Sequence, residues 1–262
     1  MYLKKEISKA VSERINRFYE DFSIYGGYPA VVLSETNEEK IEVLKNIYNT
    51  YFLREIKEIL QLQDDFKLSK LIKVLALRIG STINHQELSL ATGMDYKELL
   101  KKMNILEKTY ICIESKPFFT NKKKEITKSP KIYFLDNGFR NIVIKNFQKL
   151  NNRVDKGQLN ENFAASELIK KEVELKFWRT KSKAEVDFVI ENKGEVMPVE
   201  IKTKQQKLSR SFQAFIKAYK PKKAFILQQI TADKTKKFEK TKVEFANLFE
   251  ISKIAEILMS SQ

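Results

Sequence analysis

Cysteine and histidine are almost absent from this chain. Its 262 residues include one cysteine, Cys112, and one histidine, His85. A single cysteine excludes an internal disulfide framework, and these two residues together cannot supply the Cys/His ligands of a zinc site. We therefore expect a protein stabilised by its apolar core in a reducing compartment such as the cytoplasm.

Long apolar runs are absent as well. No stretch approaches the roughly 18 to 20 uncharged apolar residues that are needed to span a bilayer. The first seven residues, Met1-Tyr-Leu-Lys-Lys-Glu-Ile7, carry too many charges for a signal peptide. The sequence therefore predicts a soluble cytoplasmic protein with no segment inserted in a membrane.

Acidic residues are in deficit. The chain has 34 Asp and Glu residues against 49 Lys and Arg residues, which gives a net charge of +15 at pH 7. An excess of this size favours a polyanionic partner such as nucleic acid or an anionic membrane surface. An acidic protein partner stays open as an alternative.

Glycine and proline are scarce, with 7 and 5 copies, so the few turns help to divide the chain. Apolar residues recur at helical spacing through much of residues 1–62, which predicts a helical segment. Residues 63–136 show three helices followed by two strands, the order of a winged helix. Signals for a helix, a hairpin and a helix-plus-strand unit then predict an α/β or α+β domain over residues 137–262.

The third helix of the predicted winged helix, from about residue 96 to residue 108, has two contrasting faces. Its apolar stripe is Leu99, Leu100, Met103 and Leu106. The candidate nucleic-acid-binding residues on the other face, and in the loop between the two strands, are Lys97, Lys101, Asn104, Lys108, Lys122, Lys123 and Lys124. Lysine reaches phosphates and asparagine reads adenine, so this helix is typical of DNA recognition. A lysine face that only solvates the helix is the alternative.

Two alternating segments beyond residue 184 predict a pair of strands. Asp187 lies in the first, and Glu200 and Lys202 lie in the second. The residues between them, 191–194, are typical of a hairpin turn. Pairing of the two strands would bring Asp187 beside Glu200 on one face, with Lys202 one pleat further along.

A preceding helix adds a third acid, Glu161. This residue shares a helical stripe with Ala165 and Leu168, which predicts that its side chain faces the sheet. Hard carboxylate oxygens suit Mg²⁺ or Mn²⁺, which polarises a phosphodiester and lowers the pKa of an attacking water. Lys202 would hold that water or neutralise charge in the transition state. Glu161, Asp187, Glu200 and Lys202 are thus the predicted catalytic residues, and the three acids are the predicted metal ligands. Surface salt bridges to neighbours such as Arg179 are the alternative.

These four residues resemble the PD-(D/E)xK nuclease signature. A longer set of motifs resembles the C-terminal half of a prokaryotic or archaeal AAA-type ATPase family. These motifs are Gly26-Gly27-Tyr28-Pro29, Lys128-Ser-Pro-Lys-Ile-Tyr-Phe-Leu-Asp-Asn-Gly138, Glu161-Asn-Phe163, Phe177-Trp-Arg179 and Glu185-Val-Asp-Phe-Val-Ile190. In that family a P-loop ATPase domain precedes a winged helix and a nuclease-like domain of unknown function.

The resemblance implies a restriction-endonuclease-like mixed sheet flanked by helices, with Asp187 and Glu200 as metal ligands, Lys202 as a catalytic residue and Glu161 in support. No G-x-x-x-x-G-K-[ST] motif occurs, so no ATPase activity is expected from this chain alone. The expected function is a double-stranded DNA-binding module with a Mg²⁺-dependent site for phosphodiester hydrolysis. The alternative is a catalytically inactive DNA-binding or protein-docking module, and an ATPase domain or another protein is then the expected partner.

Several other residues receive structural assignments. His85 is expected to be a capping-region residue at a helix start, since the sequence identifies no nucleophile or carboxylate partner for it. Cys112 is expected to be buried and inert, and Trp178 is expected in the core. From Lys202 through Lys242 the chain has thirteen Lys and Arg residues. They are expected to form a basic strip beside the metal site that steers nucleic acid toward it.

Overall fold

The computed structural model describes residues 9–60, 66–121, 123, 125, 128–192, 194–203, 208–229 and 234–259. The chain falls into two compact units. The helical unit comprises Glu20–Glu114 and Ser129–Val154, and the sheet unit comprises Met1–Tyr19, Ser115–Lys128 and Asp155–Gln262. Among the described residues, none of the helices combines the length and the apolar character that a membrane span requires.

Helices dominate the first part of the chain. They are α1 (Lys9–Tyr25), α2 (Pro29–Val32), α3 (Asn37–Asn46), a π-helical segment (Ile47–Arg54), α4 (Glu55–Leu60), α5 (Phe66–Leu77), α6 (His85–Thr92) and α7 (Tyr96–Lys108). The strands β1 (Cys112–Pro117) and β2 (Lys131–Phe134), α8 (Asn137–Ile144) and a 3-10 turn (Leu150–Asn152) follow. The predicted order of three helices and two strands is therefore present as α5, α6, α7, β1 and β2.

Local capping explains where these helices start and stop. The Asn84 side chain accepts hydrogen bonds from the backbone N–H groups at the start of α6, and the Asp95 side chain does the same for α7. Gly93, with φ of +70°, ends α6 in the left-handed conformation that glycine adopts most easily. The short α6–turn–α7 arrangement therefore follows from the sequence near the helix ends.

The Gly26-Gly27 turn is bound to the start of α8 by one carboxylate. Asp136 Oδ2 accepts a hydrogen bond from the Gly27 backbone N–H at 2.7 Å, and Asp136 Oδ1 caps α8 through the Phe139 backbone N–H at 2.8 Å. A Cβ atom at Gly138 would lie 1.9 Å from the carbonyl oxygen of Tyr25. Two motifs that are far apart in the sequence thus form one close backbone contact in the helical unit.

Buried amide and guanidinium groups extend this contact. Asn141, which is fully buried, donates through Nδ2 to the carbonyl oxygens of Ser23 and Ile24 at 3.1 and 2.8 Å. Arg140 Nε donates to the carbonyl oxygen of Ala76 at 2.7 Å. Each bond satisfies a buried polar group, and together they fix α8 against the end of α1 and the end of α5.

The sheet unit begins with α9 (Lys156–Lys170), followed by β3 (Lys176–Arg179), β4 (Glu185–Asn192), β5 (Glu195–Lys202), α10 (Arg210–Tyr219) and β6 (Lys223–Gln228). The strands β7 (Lys234–Phe238) and β8 (Thr241–Asn247), a 3-10 turn (Leu248–Glu250) and α11 (Ile251–Met259) complete it. The predicted helix, hairpin and helix-plus-strand order is present as α9, β4–β5, α10 and β6. The predicted mixed α/β fold class is confirmed.

The strands of the sheet unit run in the order β1, β3, β4, β5, β6, β8, β7. β3, β4 and β5 are antiparallel neighbours, whereas β5, β6 and β8 are parallel and β7 runs antiparallel at the edge. α10 covers one face through a cluster that contains Phe212, Phe215 and Trp178. α9 packs against β5 and α11.

We expect Gly138→Ala to lower the free energy of unfolding by at least ~2 kcal/mol, because the new methyl group overlaps a backbone carbonyl that cannot rotate away. Gly157→Ala is the matched control, since a Cβ at Gly157 meets nothing within 4 Å. Urea unfolding followed by circular dichroism measures both. A Gly138→Ala variant as stable as Gly157→Ala would show that the close contact is not formed.

Candidate active site

The β4–β5 hairpin places two of the predicted acids side by side. Phe188 of β4 pairs with Val199 of β5 in antiparallel register, and Asp187 and Glu200 are the next residues of the two strands beyond this pair. Asp187 Oδ2 accepts a hydrogen bond from the Ile201 backbone N–H at 2.7 Å. The Asp187 side chain is therefore held across the strand pair, as the alternating pattern predicts.

Glu200 is a buried acid with two polar partners. Only 3% of its surface is exposed. Its Oε1 forms an ion pair with Lys202 Nζ, and its Oε2 accepts a hydrogen bond from Ser209 Oγ at 3.2 Å. A buried carboxylate without such partners would be strongly destabilising, so Lys202 and Ser209 account for its presence in the interior.

Ser209 links this acid to the next helix. Its hydroxyl oxygen also accepts a hydrogen bond from the Phe212 backbone N–H at 3.1 Å and so caps α10. Glu200 pairs in register with Ile226, which belongs to the apolar cluster beneath α10. Asp187 and Glu200 thus lie on the α10 face of the sheet, and the start of α10 is fixed beside Glu200. Sequence reasoning did not identify Ser209 as part of this site.

The third predicted acid lies on a different element. Glu161 is half-buried on α9, the helix that packs against β5. The neighbouring residue Asn160 is fully buried and accepts a hydrogen bond from the Tyr19 hydroxyl at 2.7 Å. Tyr19 also meets the Phe163 ring edge-to-face at 5.1 Å, so the start of α9 has a fixed position.

The described residues contain no group of three or more His, Cys, Asp or Glu side chains that could hold a metal ion. The structure therefore brings Asp187, Glu200 and Lys202 together but does not join Glu161 to the two other acids as a three-acid group. Asp187 and Glu200 still offer hard oxygen donors. Mg²⁺ is often bound through one or two carboxylates and keeps several waters, so this donor pair suits Mg²⁺ or Mn²⁺ in chemical type.

Neighbouring residues have ordinary structural roles. Arg179 Nε forms an ion pair with Glu185 Oε2 at 3.6 Å. Glu185 lies two residues before Asp187 on β4. Trp178 is 8% exposed and packs edge-to-face against Phe215, which confirms its place in the core. Gln213 donates through Nε2 to the carbonyl oxygen of Leu208 at 2.9 Å, within the turn before α10. None of these side chains adds to the chemistry of the hairpin.

The predicted recognition helix, α7, is a second candidate site, in the helical unit. Lys97, Lys101, Asn104 and Lys108 are all exposed, as predicted. Of the predicted apolar stripe Leu99, Met103 and Leu106 are buried, whereas Leu100 is 39% exposed, so its assignment to the buried stripe was wrong. At about 100° per residue along the helix, the Leu100 side chain lies beyond the edge of the buried face.

One lysine of α7 faces inward. Lys102 is 3% exposed, and its ammonium group bonds to Glu98 Oε1 at 2.6 Å. Lys123 in the loop after β1 is exposed, while Lys122 and Lys124 lie outside the described residues. The residues 115–128, which include this loop, group with the sheet unit. Lys123 therefore belongs to a different unit from the exposed lysines of α7.

A cavity of about 170 Å³ lies along α7, lined by Leu100, Met103, Asn104, Glu107, His85, Cys112, Glu114 and Ile132. His85 Nε2 lies 2.6 Å from Glu114 Oε1, so His85 has a carboxylate partner that the sequence did not identify. Glu114 lies 29 residues away on β1, and only the fold brings the two together. Cys112 is 1% exposed, which confirms that it is buried, and this burial raises the pKa of its thiol.

Two family models match this chain. Residues 16–150 match a domain of unknown function (DUF8612), and residues 156–248 match a second domain of unknown function (DUF4143). The chain belongs to the DUF8612 family. The two matched ranges meet between residues 150 and 156, where the structure passes from the helical unit to the sheet unit at Asp155.

This DUF8612 chain is also similar to an uncharacterized protein of Haemophilus influenzae. The two are 24% identical over 196 residues, which cover 72% of this chain and 47% of the relative. The chain thus spans about half the length of the curated relative that it matches.

The His85 pair predicts a pH dependence. The hydrogen bond to Glu114 raises the pKa of His85 above its ordinary value, opposed by partial burial and assisted by the charge of Glu114. A raised folded-state pKa contributes stability that is fully present below about pH 6.5 and is lost as pH rises through the folded pKa. Because His85 is the only histidine in the chain, titration in this window is assigned directly.

We therefore expect the difference in unfolding free energy between the parent and His85→Gln to shrink as pH rises from about 5.5 to 8.5. Urea unfolding at each pH measures it, and Glu114→Gln should give the same trend. A difference that stays constant across this range would contradict the charge-assisted pair.

Proposed function

We propose that this chain is a nucleic-acid-binding module whose sheet unit carries a PD-(D/E)xK nuclease-like site for phosphodiester hydrolysis. The observation that carries the proposal is the β4–β5 hairpin, in which Asp187 and Glu200 are adjacent and Lys202 contacts Glu200. The match of residues 156–248 to DUF4143 supports the resemblance to the C-terminal half of AAA-type ATPases.

Asp187 and Glu200 would hold Mg²⁺ or Mn²⁺ through their carboxylate oxygens. The bound ion would polarise the phosphodiester and lower the pKa of the attacking water. Lys202 lies next to Glu200 and supplies a positive charge for the phosphate oxygens. The Asp187 carboxylate is held in place by the Ile201 N–H.

DNA contact is assigned to the exposed face of α7. Lys97, Lys101 and Lys108 present flexible ammonium groups, and these suit phosphate oxygens. Asn104 is exposed on the same helix and has the amide that reads adenine in the major groove. Double-stranded DNA is the proposed substrate, and an ATPase domain or a protein partner would act with the whole protein.

One observation favours a second function, a catalytically inactive docking module. The Glu200 carboxylate already has a cation, Lys202, and a hydroxyl donor, Ser209. A buried acid that is neutralised in this way requires no metal ion. Under this second hypothesis the hairpin stabilises the sheet, and the chain binds DNA without cleaving it or binds a partner protein.

Cleavage of supercoiled DNA separates the two readings. With Mg²⁺ or Mn²⁺ the parent should nick or linearise the plasmid, and EDTA should abolish cleavage. Asp187→Asn should reduce the rate by ~100-fold or more, as expected for loss of a group that acts on the transition state. The matched control is Glu185→Gln, two residues earlier on the same strand, which should keep the parental rate. Cleavage that survives in Asp187→Asn would remove the assignment, and DNA binding by the parent without cleavage would favour the docking module.

The α7 face is tested by charge reversal. We expect Lys97→Glu combined with Lys101→Glu to weaken binding to a labelled duplex by at least ~10-fold and to reduce its salt dependence, because two phosphate contacts are lost. Lys70→Glu combined with Lys73→Glu makes the same change in net charge on the exposed side of α5. Fluorescence anisotropy measures both, and equal losses in the two variants would show that α7 has no specific role.

A further inference from the structure

Three lysines form a row across three neighbouring strands of the sheet unit. Lys223 of β6 pairs in register with Lys242 of β8, and Lys242 pairs with Lys237 of β7. Residues that are paired in this way project from the same face, about 4.8 Å apart from strand to strand. All three side chains are exposed. We refer to Lys223, Lys242 and Lys237 as the lysine row.

The lysine row is unfavourable for the fold. Like charges directly opposite each other on paired strands are destabilising. Lys242 has one carboxylate partner, Glu244, at 2.7 Å. Among the described residues no ion pair is formed by Lys223 or Lys237. The row therefore keeps an excess of positive charge that stability alone does not explain.

Protection of a sheet edge explains only part of the row. Lysines on an edge strand prevent pairing with another chain, and β7 is an edge strand, so this accounts for Lys237. β6 and β8 are interior strands, each paired on both sides. Edge protection does not account for Lys223 and Lys242, whose charges extend the row inward.

The lysine row lies away from the candidate active site. Lys223 is the first residue of β6, whereas Lys202 pairs with Gln228 at the other end of the same strand. Lys223 and Gln228 are five residue steps apart along β6, which is roughly 16 Å. The expectation that these lysines lie beside the metal site was therefore wrong, and the row is a separate surface.

We propose that the lysine row binds the phosphate backbone of nucleic acid as a second contact, distinct from the hairpin and from α7. Positive charges repeated at about 4.8 Å suit the closely repeated negative charges of a nucleic-acid strand. A bound backbone would also relieve the repulsion between the three ammonium groups. This inference rests on the proposed nucleic-acid function and adds a contact surface to it.

The test compares the parent with Lys223→Gln combined with Lys237→Gln, which leaves the Lys242–Glu244 pair intact. Binding of a short fluorescein-labelled duplex is measured over a salt series. We expect affinity to fall by roughly tenfold and the slope of log affinity against log salt to become shallower by about 1.8, as expected for two lost phosphate contacts. Lys116→Gln combined with Lys253→Gln is the charge-matched control, on exposed lysines of the same unit, and should keep the parental slope.

Thermal unfolding confirms that the row variant is folded. Its unfolding temperature should equal or exceed that of the parent, because a repulsion is removed. Lys237→Gln alone, on the edge strand, provides a second variant, with an expected slope change of about 0.9.

Each other outcome overturns the inference. A parent that binds the duplex, with row variants of equal affinity and slope, removes the row but leaves the proposed function intact. A parent that does not bind the duplex at all removes both. If the row variants lose binding to phosphatidylserine vesicles or to inorganic polyphosphate while duplex binding is unchanged, the row binds a different anion.

Discussion

Carboxylates held by fixed donors are the constraint on which each unit depends. In the helical unit the Asp136 carboxylate accepts hydrogen bonds from the backbone N–H groups of Gly27 and Phe139. Its two oxygens thereby join the Gly26-Gly27 turn to the start of α8, more than a hundred residues along the chain. In the sheet unit Glu200 is buried between Lys202 and Ser209. An acid in such a position loses hydration, so its partners must be in place for the surrounding elements to pack. The donors therefore fix the local backbone as well as the charge.

The Glu200 arrangement serves structure and chemistry at once. The ion pair with Lys202 compensates the desolvation of the acid, and the same pair keeps a carboxylate and an ammonium group together at the end of β5. Asp187 is held by the Ile201 backbone on the neighbouring strand. This geometry suits both a nuclease site and a structural ion pair. Binding of a metal ion and of substrate distinguishes the two.

The net charge of +15 is distributed over separate surfaces. The exposed lysines of α7 belong to the helical unit, and the lysine row belongs to the sheet unit. Other lysines are neutralised, such as Lys102 by Glu98 and Lys222 by Glu195. Composition indicated a polyanionic partner, but the register of β6, β8 and β7 decides where several of these charges meet.

Local elements could be predicted from the amino-acid sequence alone. The extent of α7, the alternation in β4 and β5 and the turn between them could all be predicted, because each depends on residues that are close in the chain. Asp187 beside Glu200 followed from that alternation. Three pairings between distant segments exist only in the folded chain: His85 with Glu114, Asp136 with Gly27, and the lysine row. These contacts depend on how strands and helices pack, and no local pattern records which distant residue a side chain will meet.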